Sequence, residues 1–185
     1  MRVAVFGGSF NPPHLGHVLV CSFVLATEEL DRVLVVPTFQ HPFAKPLAPF
    51  DDRVAMCELA LSTLRGVEVS RVEEELGGES RTLRTVEHLA ARHPDWKLRL
   101  VIGADVLAEA PRWFGFDAIA RIAPPIVVGR TGFPPPEPGA VLVPDVSSTH
   151  VRAAIAGGAW DEVARLVPRR VLEYARAKGL YASPK

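Results

Sequence analysis

The sequence predicts an α/β fold: a doubly wound parallel sheet of strand order 3-2-1-4-5 with helices on both faces. From Arg2 to Val143, short apolar runs alternate with segments of helical periodicity, which is the pattern of successive βαβ units. Such units give parallel strands with right-handed crossovers, and a sixth strand at the sheet edge is possible. A chain of 185 residues, 48% of them hydrophobic, can bury the core of one domain. We expect that domain to be residues 1–185, with the helices of 147–180 part of it.

The local pattern justifies each element in turn. Strands are expected at residues 2–6, 32–36, 67–69, 98–102, 126–130 and 141–143, where short apolar runs occur. Helices are expected at 18–26, from a cap at Asp51 or Asp52 to about 64, and at 82–93, 117–122 and 147–157. Two further helices should divide 161–178 at Pro168. Segments 38–50, 73–81 and the proline-rich 131–139 are expected to be loops.

The balance of charge excludes some classes of partner. The chain has 21 Lys and Arg and 21 Asp and Glu, so non-specific binding to nucleic acid is not expected and any anion site must be a local basic cluster. No apolar run is long enough to span a bilayer, and we expect no signal peptide because the first predicted strand starts at Arg2. We therefore expect a cytoplasmic protein with no membrane partner. Cys21 and Cys57 lie in apolar helical patterns, which predicts buried free thiols.

The most informative segment is residues 7–17, GGSFNPPHLGH, which joins the first strand to the first helix. In an open α/β sheet such a turn lies over the carboxyl ends of the strands, where ligands bind. Gly7 and Gly8 let the backbone approach a ligand closely with its N–H groups bared. His14 and His17, three apart, share a face of the first helical turn. The segment therefore predicts a site for phosphate oxygens, and a metal site is disfavoured because no third ligand stands at suitable spacing.

A second segment, residues 146–152 (VSSTHVR), predicts another anion site. Its Ser and Thr residues suit the cap of a helix, and Arg152 would stand one turn inside that helix. A cap alone is usually only structural, but this one follows the first segment in the same chain. The free N–H groups, the hydroxyls and the guanidinium together suit an outgoing pyrophosphate.

These two segments carry a family resemblance. GSFNP with HxGH, and SSTHVR far downstream, resemble the two signatures of the nucleotidyltransferase superfamily, and the whole chain most closely resembles bacterial nicotinate-nucleotide adenylyltransferases. The resemblance implies a Rossmann-like fold and transfer of AMP from ATP to nicotinate mononucleotide, giving deamido-NAD and pyrophosphate in NAD biosynthesis. It implies Mg²⁺ carried by ATP and no metal ion held by the protein itself.

The resemblance also assigns residues to roles. It implies that His14, His17 and Arg152 are catalytic. The residues implied in ATP binding are Gly7, Gly8, Ser9, Phe10, His14, His17, Ser147, Ser148, Thr149 and Arg152. Those implied in substrate binding are Lys45, Thr82, Gly103, Asp105, Trp113 and Arg130. Lys45 would meet the substrate phosphate, in a stretch HPFAK that stands where the family has Pro-Pro-His-Lys. Thr82 would lie near the pyridine carboxylate, and Trp113 would stack on the ring.

Other interpretations stay open at this stage. Taken alone, Trp113 could be a core residue and Asp105 or Thr82 a helix cap. A sister adenylyltransferase acting on nicotinamide mononucleotide or phosphopantetheine is the first alternative, although the resemblances at Thr82, Asp105 and Trp113 argue against phosphopantetheine. A non-catalytic nucleotide-binding protein is less consistent with intact His14, His17 and Arg152. We expect the acid to be preferred over the amide, which requires donors and no buried carboxylate nearby, and a monomer or small homo-oligomer.

Overall fold

The strands form one parallel sheet in the order β3-β2-β1-β4-β5-β6. The computed structural model describes residues 1–43, 45–109, 114–130, 142–143 and 146–182. The strands are β1 (Arg2–Gly8), β2 (Arg32–Pro37), β3 (Val67–Val69), β4 (Lys97–Gly103), β5 (Pro125–Arg130) and β6 (Leu142–Val143). The predicted order 3-2-1-4-5 is confirmed, and the sixth strand pairs in parallel with β5 at the edge.

Helices connect the strands and cover both faces of the sheet. They are α1 (Leu15–Thr27), α2 (Phe50–Leu61), α3 (Val72–Leu76), α4 (Thr82–Arg92), α5 (Ala104–Glu109), α6 (Phe116–Ile122), α7 (Ser148–Ala156), α8 (Trp160–Val163) and α9 (Arg169–Ala177). The split of the C-terminal region at Pro168 is as expected, since this residue occupies the N-cap position of α9, where its missing N–H costs nothing.

Alternation along β2 shows why the core has two halves. Val33 and Val35 belong to one buried cluster, together with residues of α1, α2, α7 and α9. Leu34 and Val36 belong to the other, together with residues of α3, α4 and α6. Successive side chains of a strand point to opposite faces, so a continuous apolar run such as that of β2 needs helices on both sides. The carboxyl ends of the strands stay uncovered at one edge of this sandwich.

The second helix differs from its prediction at both ends. It begins at Phe50 with Pro49 in the N-cap position, so neither Asp51 nor Asp52 is the cap, and it ends at Leu61. The two carboxylates lie inside the first turn, where the helix dipole favours negative charge. An aspartate in the first turn and an aspartate at the cap give nearly the same sequence pattern, which explains the error.

Helices α3, α5 and α1 also depart from the predictions. Residues 73–81, expected to be a loop, include most of α3, whose only buried residue is Val72. Helix α5 lies where no helix was expected, because six residues are too few to show a period. Helix α4 begins at Thr82 as expected, although Arg81 and not Thr82 occupies the N-cap position. Helix α1 begins at Leu15 rather than residue 18, with His14 at its N-cap.

Both cysteines are buried and free. Burial raises the pKa of the Cys21 thiol to about 12 and also raises the pKa of Cys57, so neither forms a reactive thiolate at neutral pH. Among the described residues, no helix combines the length and apolarity needed to cross a membrane. Trp113, the connector 131–139 and the first residue of the predicted sixth strand, Val141, lie outside the described residues.

Candidate active site

A cleft runs over the carboxyl ends of β1 and β4, which are neighbours in the sheet. It consists of two cavities, a first of about 310 Å³ and a second of about 800 Å³. They are contiguous, since both are lined by Phe6, Ser9, Val101, Ile102, Gly103 and Val106. The position is the one at which open parallel sheets bind their ligands.

The first cavity contains the two histidines of the first segment. The main-chain N–H of His14 donates to Nδ1 of His17 over 3.1 Å, and their ring centroids lie 3.8 Å apart. His14 is 7% exposed and Phe10 is 2% exposed, while the Phe10 ring packs 4.8 Å from that of His17. The imidazoles are therefore held by packing and by the helix start, as preorganised binding groups must be.

Helix α7 closes the opposite wall of the first cavity and is tied to the first segment. The Ser147 hydroxyl caps the helix by accepting from the His150 N–H at 3.1 Å, which confirms the expected cap. The Ser148 hydroxyl donates to the Pro12 carbonyl oxygen at 2.8 Å. Arg152 donates through Nη1 to the Asn11 carbonyl oxygen at 2.7 Å and through Nη2 to a hydroxyl oxygen one turn back, that of Thr149, at 3.2 Å. The hydrogen bonds to Pro12 and Asn11 join residues that are 136 and 141 positions apart in the sequence, so the two segments form one site.

The charges of the first cavity favour an anion. Lys45 and Arg152 line it, and Asp105 is its one carboxylate among the described residues. The Asp105 side chain folds over Gly103, because a Cβ built on that glycine would overlap Asp105 Oδ1. Gly103 is therefore required for the close approach of this carboxylate, which fits the Gly-Ala-Asp pattern seen in the sequence.

The second cavity contains a different set of the expected residues. Gly7, Gly8 and Thr82 line this cavity. A Cβ on Gly8 would stand 3.2 Å from the Phe10 ring, whereas one on Gly7 would meet nothing within 4 Å. Close packing therefore restricts Gly8, and Gly7 faces open space in the cavity. The glycines expected at the ATP phosphates thus border the cavity that also contains Thr82.

Glu73 is a functional candidate that the sequence did not single out, since it was placed in a loop. The half-buried carboxylate accepts the Phe39 N–H at Oε2 over 3.1 Å and the Thr85 hydroxyl at Oε1 over 3.2 Å, and it hydrogen-bonds Ser80. Burial raises the pKa of Glu73, and these hydrogen bonds oppose the rise. It ties together three segments that line the second cavity. This is a buried carboxylate of the kind that the acid preference was expected to exclude.

His41 also lines the second cavity, in the loop where the family pattern is altered. Its Nδ1 accepts the Phe43 N–H at 3.2 Å. Burial lowers the pKa of His41, and the positive charges of Lys45 and Arg53 lower it further. These causes favour the neutral imidazole, whereas an anion bound beside the ring would favour its protonated form. Phe43, 85% exposed, stands at the edge of the same cavity.

A buried polar network lies beneath the first cavity and was also missed. Arg53 is 1% exposed and donates to the carbonyl oxygens of Ala48 at 2.9 Å and Ser9 at 3.0 Å. The Ala48 N–H donates to Asn11 Oδ1 at 3.1 Å, and the Tyr181 hydroxyl donates to the same oxygen at 2.9 Å. Neither Arg53 nor Tyr181 was among the residues predicted for the site.

The structure brings most of the predicted residues together. Those that line the first cavity are Ser9, Phe10, His14, His17, Lys45, Gly103, Asp105, Ser147, Ser148, Thr149 and Arg152. Lys45 is thus beside the histidines rather than beside Thr82, which lines the second cavity. Arg130 ends β5, as expected. The prediction for Trp113 concerns a residue outside the described ranges.

The cleft offers few protein donors to Mg²⁺. In the described part of the chain, no group of three or more His, Cys, Asp or Glu side chains could hold a metal ion. Asp105 offers one carboxylate to the first cavity. Magnesium commonly binds through one or two carboxylates together with substrate phosphates and waters, so this donor set fits an ion that arrives on a triphosphate.

The starts of helices α1 and α7 lie over the carboxyl ends of a parallel sheet, which is the geometry of an α/β nucleotide-binding protein. Residues 5–154 match the sequence profile of the family described as cytidylyltransferase-like. A probable nicotinate-nucleotide adenylyltransferase of Anaeromyxobacter sp. (strain K) is 50% identical over 183 residues, covering 97% of this chain and 96% of the relative. One of Myxococcus xanthus (strain DK1622), described in the same words, is 42% identical and covers 98% and 95%. The chain therefore belongs to the cytidylyltransferase-like family.

Solved structures show the same fold. A nicotinic acid mononucleotide adenylyltransferase of Plasmodium falciparum complexed with NaAD has a TM-score of 0.84 at 16% identity and covers 97% of each chain. A putative nicotinate-nucleotide adenylyltransferase of Vibrio parahaemolyticus has a TM-score of 0.76 at 22% identity, with 99% of this chain and 96% of the other covered. The sheet order and flanking helices are thus shared over nearly the whole chain.

Proposed function

We propose that this chain is a nicotinate-nucleotide adenylyltransferase, which transfers AMP from ATP to nicotinate mononucleotide and releases pyrophosphate. The observation that carries the proposal is the contact between the two signature segments, in which Arg152 and Ser148 bond the backbone of residues 11 and 12. The two segments border one cleft, which consists of the basic first cavity and the larger second cavity. Relatives at 50% and 42% identity that bear this activity in their names support the same assignment.

The reaction needs alignment more than acid–base chemistry. An oxygen of the acceptor phosphate forms a bond to the α-phosphorus of ATP, and the bond from that phosphorus to the bridging oxygen breaks. The electron pair leaves with pyrophosphate. The nucleophile is already an anion, so no general base is required. The protein's task is to bring two anions together and to stabilise charge on the departing oxygen.

In this proposal the first cavity holds the ATP phosphates. His14 and His17 donate to the oxygens around the α-phosphorus, and the N-terminus of α7 with Arg152 receives the outgoing pyrophosphate. Three hydroxyl groups of the α7 start (Ser147–Thr149) line the same cavity. Asp105 is directed toward a ribose or a water, where its charge does not oppose the phosphates. Mg²⁺ bound to the triphosphate would supply further charge neutralisation there.

The second cavity holds the acceptor nucleotide. Its larger volume, about 800 Å³, suits a mononucleotide. Lys45 at the boundary of the first cavity supplies the charge that steers the acceptor phosphate, and His41 in the second cavity is placed to hydrogen-bond it. Thr82, at the N-terminus of α4, presents a hydroxyl to the ring acid, and the helix start favours a carboxylate there. Trp113 and Arg130 remain proposed substrate contacts on the resemblance alone.

The proposal also covers the number of domains, the oligomeric state and the location of the protein. Residues 1–185 form one domain, supported by a core cluster that joins α1 and α2 to α7 and α9. The chain works as a monomer or small homo-oligomer in the cytoplasm, without nucleic acid or membrane as a partner. These points stay predictions from the sequence.

One assay tests the proposed function. The purified chain is incubated with ATP, Mg²⁺ and, in separate reactions, nicotinate mononucleotide, nicotinamide mononucleotide or phosphopantetheine. Dinucleotide or dephospho-coenzyme product is separated by chromatography, and pyrophosphate is measured in parallel. We expect deamido-NAD and pyrophosphate in equal amounts, with Arg152→Ala as the inactive control. Product from phosphopantetheine alone, or ATP binding without product from any acceptor, would reject the assignment.

A further inference from the structure

The C-terminal segment reaches the first signature through one side chain. Tyr181 lies just beyond α9, and its hydroxyl donates to Asn11 Oδ1 at 2.9 Å across 170 residues of sequence. Asn11 is 2% exposed and lines the first cavity. Tyr181 itself is half-buried and does not line either cavity. Its hydrogen bond to Asn11 therefore connects Tyr181 to the lining of the first cavity.

The chain adopts an unfavourable backbone conformation to make this contact. Tyr181 has φ of 65°, in the left-handed region that L-residues other than glycine and asparagine rarely adopt. The preceding turn is built to deliver it: Gly179 has φ of 64°, and the Leu180 N–H donates to the Ala175 carbonyl oxygen at 2.9 Å, as in a Schellman ending. Strained residues persist where surrounding contacts fix them, and they concentrate near functional sites.

Asn11 connects Tyr181 to two parts of the wall of the first cavity. Its Oδ1 accepts the Ala48 N–H at 3.1 Å as well as the Tyr181 hydroxyl, which satisfies both lone pairs of the amide oxygen. Its carbonyl oxygen accepts from Arg152 Nη1 at 2.7 Å. The residue thus touches the loop that carries Lys45 and the guanidinium proposed to receive pyrophosphate.

We infer that Tyr181 is a positioning residue, which orients Asn11 and thereby the phosphate-binding wall of the first cavity. The hydroxyl holds the amide in the one orientation that accepts the Ala48 N–H, and the amide in turn fixes the carbonyl that Arg152 bonds. Burial raises the pKa of the Tyr181 phenol, so the group stays a hydrogen-bond donor across the working pH range. The inference rests on the proposed function only for its kinetic readout.

The chain offers a matched control, because it has two tyrosines. Tyr174 on α9 donates its hydroxyl to Asp52 Oδ1 at 2.8 Å, a comparable single hydrogen bond that touches neither signature. Tyr181→Phe and Tyr174→Phe each remove one hydroxyl and keep the ring. Both should lower the thermal midpoint by a similar amount, roughly 2–4 °C for one lost hydrogen bond in a chain of this size.

The experiment measures ATP affinity by calorimetry without acceptor, and kcat and KM with nicotinate mononucleotide, at a temperature where both variants are folded. We expect Tyr181→Phe to raise the Kd of ATP about three- to tenfold and to lower kcat/KM for ATP about five- to tenfold, the usual effect of one hydrogen bond. Tyr174→Phe should stay within about twofold of wild type in both.

Wild-type ATP affinity and kcat/KM in Tyr181→Phe would overturn the inference, as would an equal loss in Tyr174→Phe. If the wild type binds ATP but transfers AMP to no acceptor, the proposed function fails. The ATP affinities of the two variants would still decide the role of Tyr181.

Discussion

The main-chain N–H of His14 donates to Nδ1 of His17 over 3.1 Å, with the two rings 3.8 Å apart. A nitrogen that accepts a hydrogen bond carries no proton, so neutral His17 holds its ring proton on Nε2. His17 is the third residue of α1, and its side chain satisfies one of the free N–H groups of the helix start, as a capping-box residue does. The histidine therefore has a structural role beside its proposed catalytic one.

Replacing His17 separates these two roles. His17→Ala should lower turnover by about two to three orders of magnitude, by analogy with the loss of one oxyanion donor, and should lower the free energy of unfolding by about 1 kcal/mol through loss of the cap. His17→Gln keeps an acceptor at the capping-box position and should restore most of the stability but not the turnover. Steady-state kinetics and urea denaturation measure the two quantities. Normal turnover in either variant would remove His17 from the mechanism.

The sequence was sufficient for the sheet because β2 and its neighbours are continuous apolar runs with helical segments between them. It was sufficient for the two signature segments because each has a distinctive set of residues at fixed spacing. It could not indicate Glu73, Arg53 or Tyr181 as parts of the site. Their roles depend on contacts between segments far apart in the chain, such as Tyr181 with Asn11, and a single tyrosine after a helix has no pattern that reveals its partner.

Short helices were not predicted from the sequence for a related reason. Helix α3 has five residues with one buried side chain, so its pattern is that of a polar loop. The start of α2 was also misplaced, because Pro49 is its N-cap and Asp51 lies in its first turn. The sequence pattern does not distinguish these two positions. These errors had consequences for function, because Glu73 lies on the helix that the sequence did not predict.

Glu73 predicts how stability depends on pH. Its folded pKa is raised above the value of an ordinary glutamate, so the folded state binds the proton more tightly than the unfolded chain. The associated stabilisation is complete below the unfolded pKa and is lost as pH rises through the folded pKa. The free energy of unfolding of wild type relative to Glu73→Gln should therefore fall as pH rises from about 4 toward neutrality, and should level off above the folded pKa.

Denaturation curves at a series of pH values measure this difference. Glu75→Gln is the control, because Glu75 is an exposed residue of the same helix that pairs with Arg92 at 2.7 Å. Its stability difference from wild type should not show the same fall over this pH interval. A Glu73→Gln difference that stays constant, or that rises with pH, would contradict the raised pKa and the burial that causes it.

Arg53 predicts a large effect from a conservative change. Its guanidinium bonds two carbonyl oxygens in different loops, those of Ala48 and Ser9, and a lysine ammonium on a flexible stem cannot reproduce that fork. Arg53→Lys should lower the free energy of unfolding by about 1–3 kcal/mol. It should also raise KM for both substrates, since the two loops border the two cavities. Arg65→Lys, at an exposed position, is the matched control and should change neither quantity. Unaltered stability in Arg53→Lys would show that the two carbonyl contacts are not required.

The choice between acid and amide acceptor depends on a carboxylate that the structure places in the second cavity. Nicotinate and nicotinamide mononucleotide differ only in a carboxylate against an uncharged amide. Glu73 lines the second cavity and would repel the acid if its charge faced the ring. Both of its oxygens, however, already accept hydrogen bonds from the cavity wall, at Phe39 and Thr85. Thr82 instead stands at the first turn of α4, where free N–H groups and the helix dipole favour the acid.

Wild type should therefore show a higher kcat/KM with the acid than with the amide. Thr82→Val removes the hydroxyl at nearly constant shape and should raise KM for the acid about tenfold, the cost of a hydrogen bond to a charged group, and for the amide about threefold or less. Thr82→Ser keeps the hydroxyl and should restore the preference. Steady-state kinetics of the three proteins with both mononucleotides measure it. Equal kcat/KM for acid and amide in wild type would refute the preference, and an equal rise of both KM values in Thr82→Val would place the ring's acid group away from α4.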